Sequence, residues 1–296
     1  MFQTDYTQHF DLQEQMDQLS YVHFQFFFYS FYICFSWFNQ TMFDASYRND
    51  RILLLIHLPF GIEEMLLIPF YHLFFEQKLF SIIEKYSQNI IMCLAGHRHQ
   101  DTFRVYSTST TTMGILTHPS ISPLDFFTDP SIRHYTYDRK SLTLIDYDQY
   151  ILNLIEAERT QTDEWTLAYR FSSWYHQTDF LTSKSLLKLI DLIHRDFYYL
   201  KRFLLTEHYR ERFIITAQKI RQTLCSLKLY HYDEFFYCTR YLQVNHWYET
   251  SLIMNYSFEI NGIISEQLDQ TNNFRRNLFM ISFLLIMIWF LFNKRR

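Results

Sequence analysis

Glycine is scarce in this chain of 296 residues: there are four, none before Gly61, beside only five prolines and four cysteines. A glycine-rich loop that cradles phosphate cannot be written anywhere, and no Gly-x-Ser-x-Gly elbow surrounds any serine. The formal net charge is −4, and no basic stripe carries interleaved aromatics, so nucleic-acid binding has no electrostatic footing. The N-terminus lacks the basic start and small-residue cleavage site of a signal peptide. Cys34, Cys93, Cys225 and Cys238 show no metal-type spacing. Aromatics are abundant instead, with 31 Phe and 23 Tyr. The length suffices for one large or two small domains with a real core.

Against this background two short histidine motifs stand out. His57-Leu58-Pro59-Phe60-Gly61 follows the apolar run Ile52–Ile56, and Gly96-His97-Arg98-His99-Gln100-Asp101 follows Ile90–Leu94. Each run is short, partly branched and closed by Gly or Pro, as a buried strand entering a loop is. Loops at strand ends can converge, and neutral imidazole is the commonest protein metal ligand. Two of the four glycines adjoin these motifs, where the backbone must turn sharply or approach something closely. In an extended segment His97 and His99 point the same way with Arg98 turned off, able to bind one ion or two neighbouring ions. A bare His-x-His is more often a surface pair that binds nothing, but the upstream His-x-Pro-x-Gly motif, also after a buried strand, favours a metal site.

The second motif, continued as Thr102-Phe103-Arg104-Val105, resembles the Gly-His-x-His-x-Asp-x-Phe signature of acid sphingomyelinase and the acid sphingomyelinase-like phosphodiesterases. His57–Gly61 resembles the His-x-Pro-x-Gly loop of that family. Phe35–Phe38 is similar to the helix before this loop, and Ile82–Tyr86 to the helix between the motifs. Pro119–Pro123, Asp129–Arg133, Tyr135–Asp138, Asp146–Leu154, Trp165 and Tyr169 keep the family's order, so the resemblance spans about residues 35 to 240. It implies an α+β fold: part of a calcineurin-like metallophosphoesterase sandwich flanked by helices, then a helical C-terminal region. It also implies that His57 and His97 bind one zinc and His99 a second. Such a centre activates hydroxide for in-line attack on a phosphodiester, sphingomyelin or a nucleotide-type phosphoester. Asp101 reads either as a support for His99, accepting a ring N–H, or as a turn residue at the strand end.

The family pattern also requires an upstream Asp-x-His, a bridging Asp and an Asn-His loop, and none is recognisable before His57. The chain therefore reads as the C-terminal half of a phosphoric diester hydrolase. The alternative is a catalytically inactive, membrane-anchored remnant serving as a binding or structural module. The organisation expected is 1–34 unassigned, 35–150 metallophosphoesterase half, 151–245 helical region, 246–274 juxtamembrane segment and 275–296 membrane anchor.

The anchor rests on Leu278–Phe292, apolar except for Ser282 and flanked by Arg275-Arg276 and Lys294-Arg295-Arg296. As a helix it rises about 22 Å, so snorkelling or local thinning is needed to span a bilayer. A transmembrane helix is favoured over a glycolipid signal, which ends in an apolar tail. The aromatic run Tyr21–Phe38 fits a second poor span, a buried helix, or sequence outside the fold. By resemblance Cys225 and Cys238 form a disulfide; the alternative is two buried free thiols. Cys34 and Cys93 read as buried cysteines. Asn39 and Asn255 head sequons, glycosylated only in a secretory lumen. With an upstream signal, the body would be extracellular or lumenal.

Among other elements, 64–88 reads as helix, 102–150 as strands and turns, and Ser183–Arg195 as a helix capped by Ser183. Glu63-Glu64 is expected at a solvated helix N-terminus. Arg133 is expected to pair with Asp129 or Asp138, and His118 and His134 to be packing or surface residues.

Overall fold

The computed structural model describes residues 33–242, except 65, 123–128, 208–215 and 229–230. The apolar segment 278–292, Asn255 and most of the aromatic run lie outside the described residues. Among those described, no helix is long and apolar enough to cross a membrane.

The chain enters through helix α1 (residues 33–47), whose Phe38, Met42 and Ala45 are buried. Strand β1 (Ile52–Ile56) follows, then a hairpin of β2 (Ile62–Glu63) and β3 (Ile68–Pro69), helix α2 (Leu73–Lys85) and strand β4 (Ile90–Ala95). Strands β5 (Thr102–Ser107) and β6 (Thr112–Thr117) complete a four-stranded sheet of order β1-β4-β6-β5. β1, β4 and β6 run parallel, and β5 pairs antiparallel with β6. A second sheet is antiparallel, of β7 (Ser131–Asp138), β8 (Thr143–Ile151) and β9 (Thr166–Arg170), with α3 (Leu154–Thr160) inserted before β9. Helices α4 (Phe171–Trp174), α5 (Ser183–Arg195), α6 (Phe197–Glu207), α7 (Ala217–Ser226) and α8 (Tyr232–Tyr241) end the described chain.

Side-chain alternation gives the first sheet two buried faces. Met113 and Ile115 of β6, with Ile52, Leu54 and Cys93, join α1 and α2 in one core. Leu116 of β6, with Met92, Phe103 and Val105, joins the second sheet and α4 to α7 in the other. That second core runs across residue 150 without a break. Gly114 of β6 lies where α5 closes on the sheet. A Cβ there would stand 2.6 Å from Met92 Sδ and 2.7 Å from Leu186 Cδ1, so no larger residue fits without movement.

Helix α5 occupies the residues that its periodicity predicts, with Leu186, Leu189, Ile190 and Ile193 on the buried face. Its cap is Thr182, in a reciprocal capping box with Ser185, one residue before the serine expected. Ser183 Oγ instead accepts from the Gly114 amide at 2.8 Å. The helix expected over 64–88 begins only at Leu73, behind the hairpin. Its start is capped by His72, whose ring accepts from the Phe74 amide. Cys93 is buried as expected, whereas Cys34 is exposed, on the solvent side of α1. Asn39 lies within α1, and its Oδ1 accepts from the Tyr86 hydroxyl at 3.3 Å.

Candidate metal-binding histidine site

Parallel register brings the two histidine motifs together. Ile56 of β1 lies beside Ala95 of β4, so both strands deliver the next residues to the same point at their carboxyl ends. The Gly96 amide donates to the His57 carbonyl at 3.0 Å. One residue on, His57 Nε2 stands 3.1 Å from His97 Nδ1, with the rings at 77°. Two nitrogens on one tetrahedral zinc would be about 3.3 Å apart, given Zn–N bonds of about 2.0–2.1 Å. The pair thus has the spacing of two ligands to one ion. Burial, then the neighbouring His57, His99 and Arg98, lower the His97 pKa, with Glu63 opposing, which favours the neutral form that a metal needs.

The loop itself departs from the extended geometry expected. His97 and His99 both have positive φ, 68° and 56°, and the Arg98 amide turns back onto the Gly96 carbonyl at 2.8 Å. Residues with a Cβ rarely adopt this region, and such strain gathers at functional sites. The segment is a tight turn because the chain must reverse from β4 into β5 within a few residues. His99 stays within electrostatic reach of His97. Among the described residues, however, no three His, Cys, Asp or Glu are arranged to hold one ion.

Two buried networks that the motifs do not announce support the loops. In the first, Arg104 of β5 reaches under the His57 loop and donates to the Ile62 carbonyl at 2.6 Å, and to that of Phe60 at 3.5 Å. Its other nitrogen meets Glu64 Oε2 at 2.6 Å. Arg98 also pairs with Glu64, at 2.8 Å, and with Glu63. Burial pushes the Glu64 carboxyl up, but the Arg104 and Arg98 guanidiniums hold it down at about 2. Glu63 and Glu64 are therefore not a solvated helix terminus: Glu63 ends β2, and Glu64, in the turn after it, is buried.

The second network lies beneath residue 101. Asp101 is buried; its Oδ2 accepts from the Tyr169 hydroxyl at 2.6 Å, and its Oδ1 lies 2.5 Å from an Arg133 nitrogen. Arg133 therefore pairs with Asp101, and not with Asp129 or Asp138 as its sequence neighbourhood suggests. Its Nε donates to Gln149 at 2.7 Å, and its guanidinium lies 4.0 Å from the centre of the Tyr147 ring. Since Tyr169 donates to Asp101, the Tyr147 hydroxyl donates to Tyr169, 2.9 Å away. His118 is a packing residue here: Nδ1 donates to the Ala95 carbonyl at 3.0 Å, so Nε2 accepts from the Tyr135 hydroxyl at 2.6 Å. Burial, then Arg133, push its pKa down to about 3.

Cys225 of α7 and Cys238 of α8 are disulfide-bonded, with Cα atoms 5.9 Å apart. Cys225 packs with Phe235 and with Ile62, the residue after Gly61, so the C-terminal helices close on the His57 loop.

Residues 124–241 match the acid sphingomyelin phosphodiesterase C-terminal region. The chain is 28% identical over 164 residues to mouse cyclic GMP-AMP phosphodiesterase SMPDL3A, covering 53% of this chain and 37% of that protein. To sphingomyelinase phosphodiesterase C of Dictyostelium discoideum it is 28% identical over 154 residues, 47% of this chain and 34% of the relative. To human acid sphingomyelinase-like phosphodiesterase 3b it is 26% identical over 180 residues, 57% and 39% respectively. The chain spans little more than a third of the length of these relatives. Over residues 124–241, which hold the second sheet and the helices that follow it, the chain is similar to the C-terminal region of the acid sphingomyelinase and acid sphingomyelinase-like phosphodiesterase family.

Proposed function

We propose that this chain contributes the C-terminal part of a phosphoric diester hydrolase acting on sphingomyelin or a nucleotide-type phosphoester. The observation that carries the reading is the 3.1 Å approach of His57 and His97 at the ends of two parallel strands. In it His57 and His97 hold one zinc, and His99 is offered to a neighbouring ion. A zinc bound there supplies Lewis acidity toward a phosphoryl oxygen and lowers the pKa of water. The chain's own part is positional. Gly96 lets the His57 and His97 loops meet, Arg104 fixes the carbonyls of the His57 loop, and Asp101 anchors the far end of the His97 loop through Arg133 and Tyr169.

Elemental analysis of the purified chain, paired with hydrolysis of bis-nitrophenyl phosphate, tests this. Zinc is expected at one equivalent or more, and His97→Ala is expected to abolish its binding. Unchanged zinc in that variant sinks the ligand assignment. The lack of a third ligand on one ion among the described residues favours a second reading, a non-catalytic binding module. Metal without turnover would select it.

The same proposal places residues 275–296 in a membrane, with the body on the extracellular or lumenal side. The Cys225–Cys238 disulfide supports that side, since oxidising compartments preserve such bonds. A chain ending at residue 274 should leave the membrane fraction on alkaline washing. If the full chain is released equally, the anchor assignment is wrong.

A further inference from the structure

The residue between the two histidines of the second loop is the most heavily engaged side chain of the site. Arg98 is buried to 7% side-chain exposure, although His97 beside it is exposed. One guanidinium nitrogen meets Glu63 and Glu64, both in the segment that follows the His57 loop. The other donates to Gln100 and lies 4.0 Å from Glu207 Oε1 at the end of α6. Glu207 in turn binds Lys219 of α7 at 3.0 Å, and Glu64 binds Arg104 of β5. Three cations and three carboxylates thus form one charge-balanced, largely buried cluster drawn from five separate parts of the chain.

We infer that Arg98 is a positioning residue through which Glu207 and Lys219 of the C-terminal helices hold His97 and His99 in their left-handed turn. The backbone conformation at 97 and 99 is intrinsically disfavoured, and persists only where surrounding contacts over-determine it. The inward pull on Arg98 supplies such a constraint. A guanidinium suits the task, since its fixed fork reaches several carboxylates at once, which an ammonium does not. The consequence for metal binding rests on the proposed function; the consequence for the loop does not.

The test uses the full chain in two variants, Glu207→Gln and the paired Glu207→Gln/Lys219→Met, which removes both charges together and protects the fold. Hydrogen exchange over residues 96–101 is expected to accelerate about tenfold in both, with α5 unchanged. Co2+ titration, read by its visible absorption, should show an affinity loss of roughly tenfold, as for other residues behind metal ligands. Arg98→Lys should behave alike. Loop exchange that is unchanged, or that rises equally in α5, overturns the inference. If the unaltered chain binds no Co2+, the metal reading falls, and loop exchange alone decides whether Arg98 positions the turn.

Discussion

Replacing Asp101 by asparagine is expected to lower the unfolding free energy by about 3–5 kcal/mol, the usual effect of stranding one buried charge. Arg133 and Asp101 have side-chain exposures of 1% and 2%, so the guanidinium loses its counter-charge where water does not reach. In a domain of this size the midpoint of thermal unfolding should drop by roughly 10 °C. The double variant Asp101→Asn/Arg133→Met should recover most of the loss, because an apolar pair needs no compensation. The sequence offers a different role for Asp101, support of a His99 ligand. That role predicts weaker zinc binding with little change in stability. Denaturant unfolding of the metal-free chain separates the two: an unchanged midpoint would reject the buried pair as the main role.

A second large effect concerns pH. Glu76 of α2 is buried, its Oε1 accepts from the Gly61 amide at 3.3 Å, and no basic side chain pairs with it among the described residues. Tyr71 and Tyr106 face it, and neither supplies positive charge. Burial raises its pKa from 4.5 to about 7, against the opposing pull of the Gly61 amide. The folded-state pKa of this acid is raised, so between pH 4.5 and 7 the folded chain holds a proton that the unfolded chain has lost. Stability contributed by Glu76 is therefore full below about pH 4.5, falls as pH rises toward 7, and stays lowered above it. The loss is on the order of 2–3 kcal/mol, and Glu76→Gln should remove it. Urea unfolding at pH 5 and pH 8 measures the difference. Parallel changes in the two proteins would show that Glu76 does not titrate in this window. Because the Gly61 amide binds the carboxylate more strongly than the neutral acid, the same proton loosens the hold of Glu76 on the loop that carries His57.

The parts of the fold legible in the sequence are those whose signal is local. Ile52–Ile56 and Ile90–Leu94 are branched apolar runs and form adjacent strands; Ser183–Arg195 repeats its leucines and isoleucines at helical spacing. The hairpin at 62–69 was hidden because Glu63 and Glu64 look solvent-seeking until Arg98 and Arg104, far along the chain, reach them. His57 and His97 were legible as a pair, since two strand-end histidines need only parallel register to meet. The turn at 97–99 was not, because its left-handed residues carry no glycine to announce them. Arg133 found Asp101 through the way the second sheet lies against the first, and no spacing within 129–138 encodes that. Arg104 could have been flagged, as the one charge in a strand beside Phe103 and Val105, where it requires a buried partner.

The charge cluster around Arg98 also orders events in time. Its carboxylates come from residues 63 and 64 and from residue 207, more than a hundred positions beyond the arginine. At a synthesis rate of about 5–20 residues per second, Glu207 leaves the ribosome roughly 5–20 s after Arg98. Throughout that interval the histidine turn has Glu63 and Glu64 but lacks its C-terminal tether. Long-range contacts of this kind form late, after the local strands have collapsed. The histidine turn thus gains the tether from Glu207 and Lys219 only after α6 and α7 have been made.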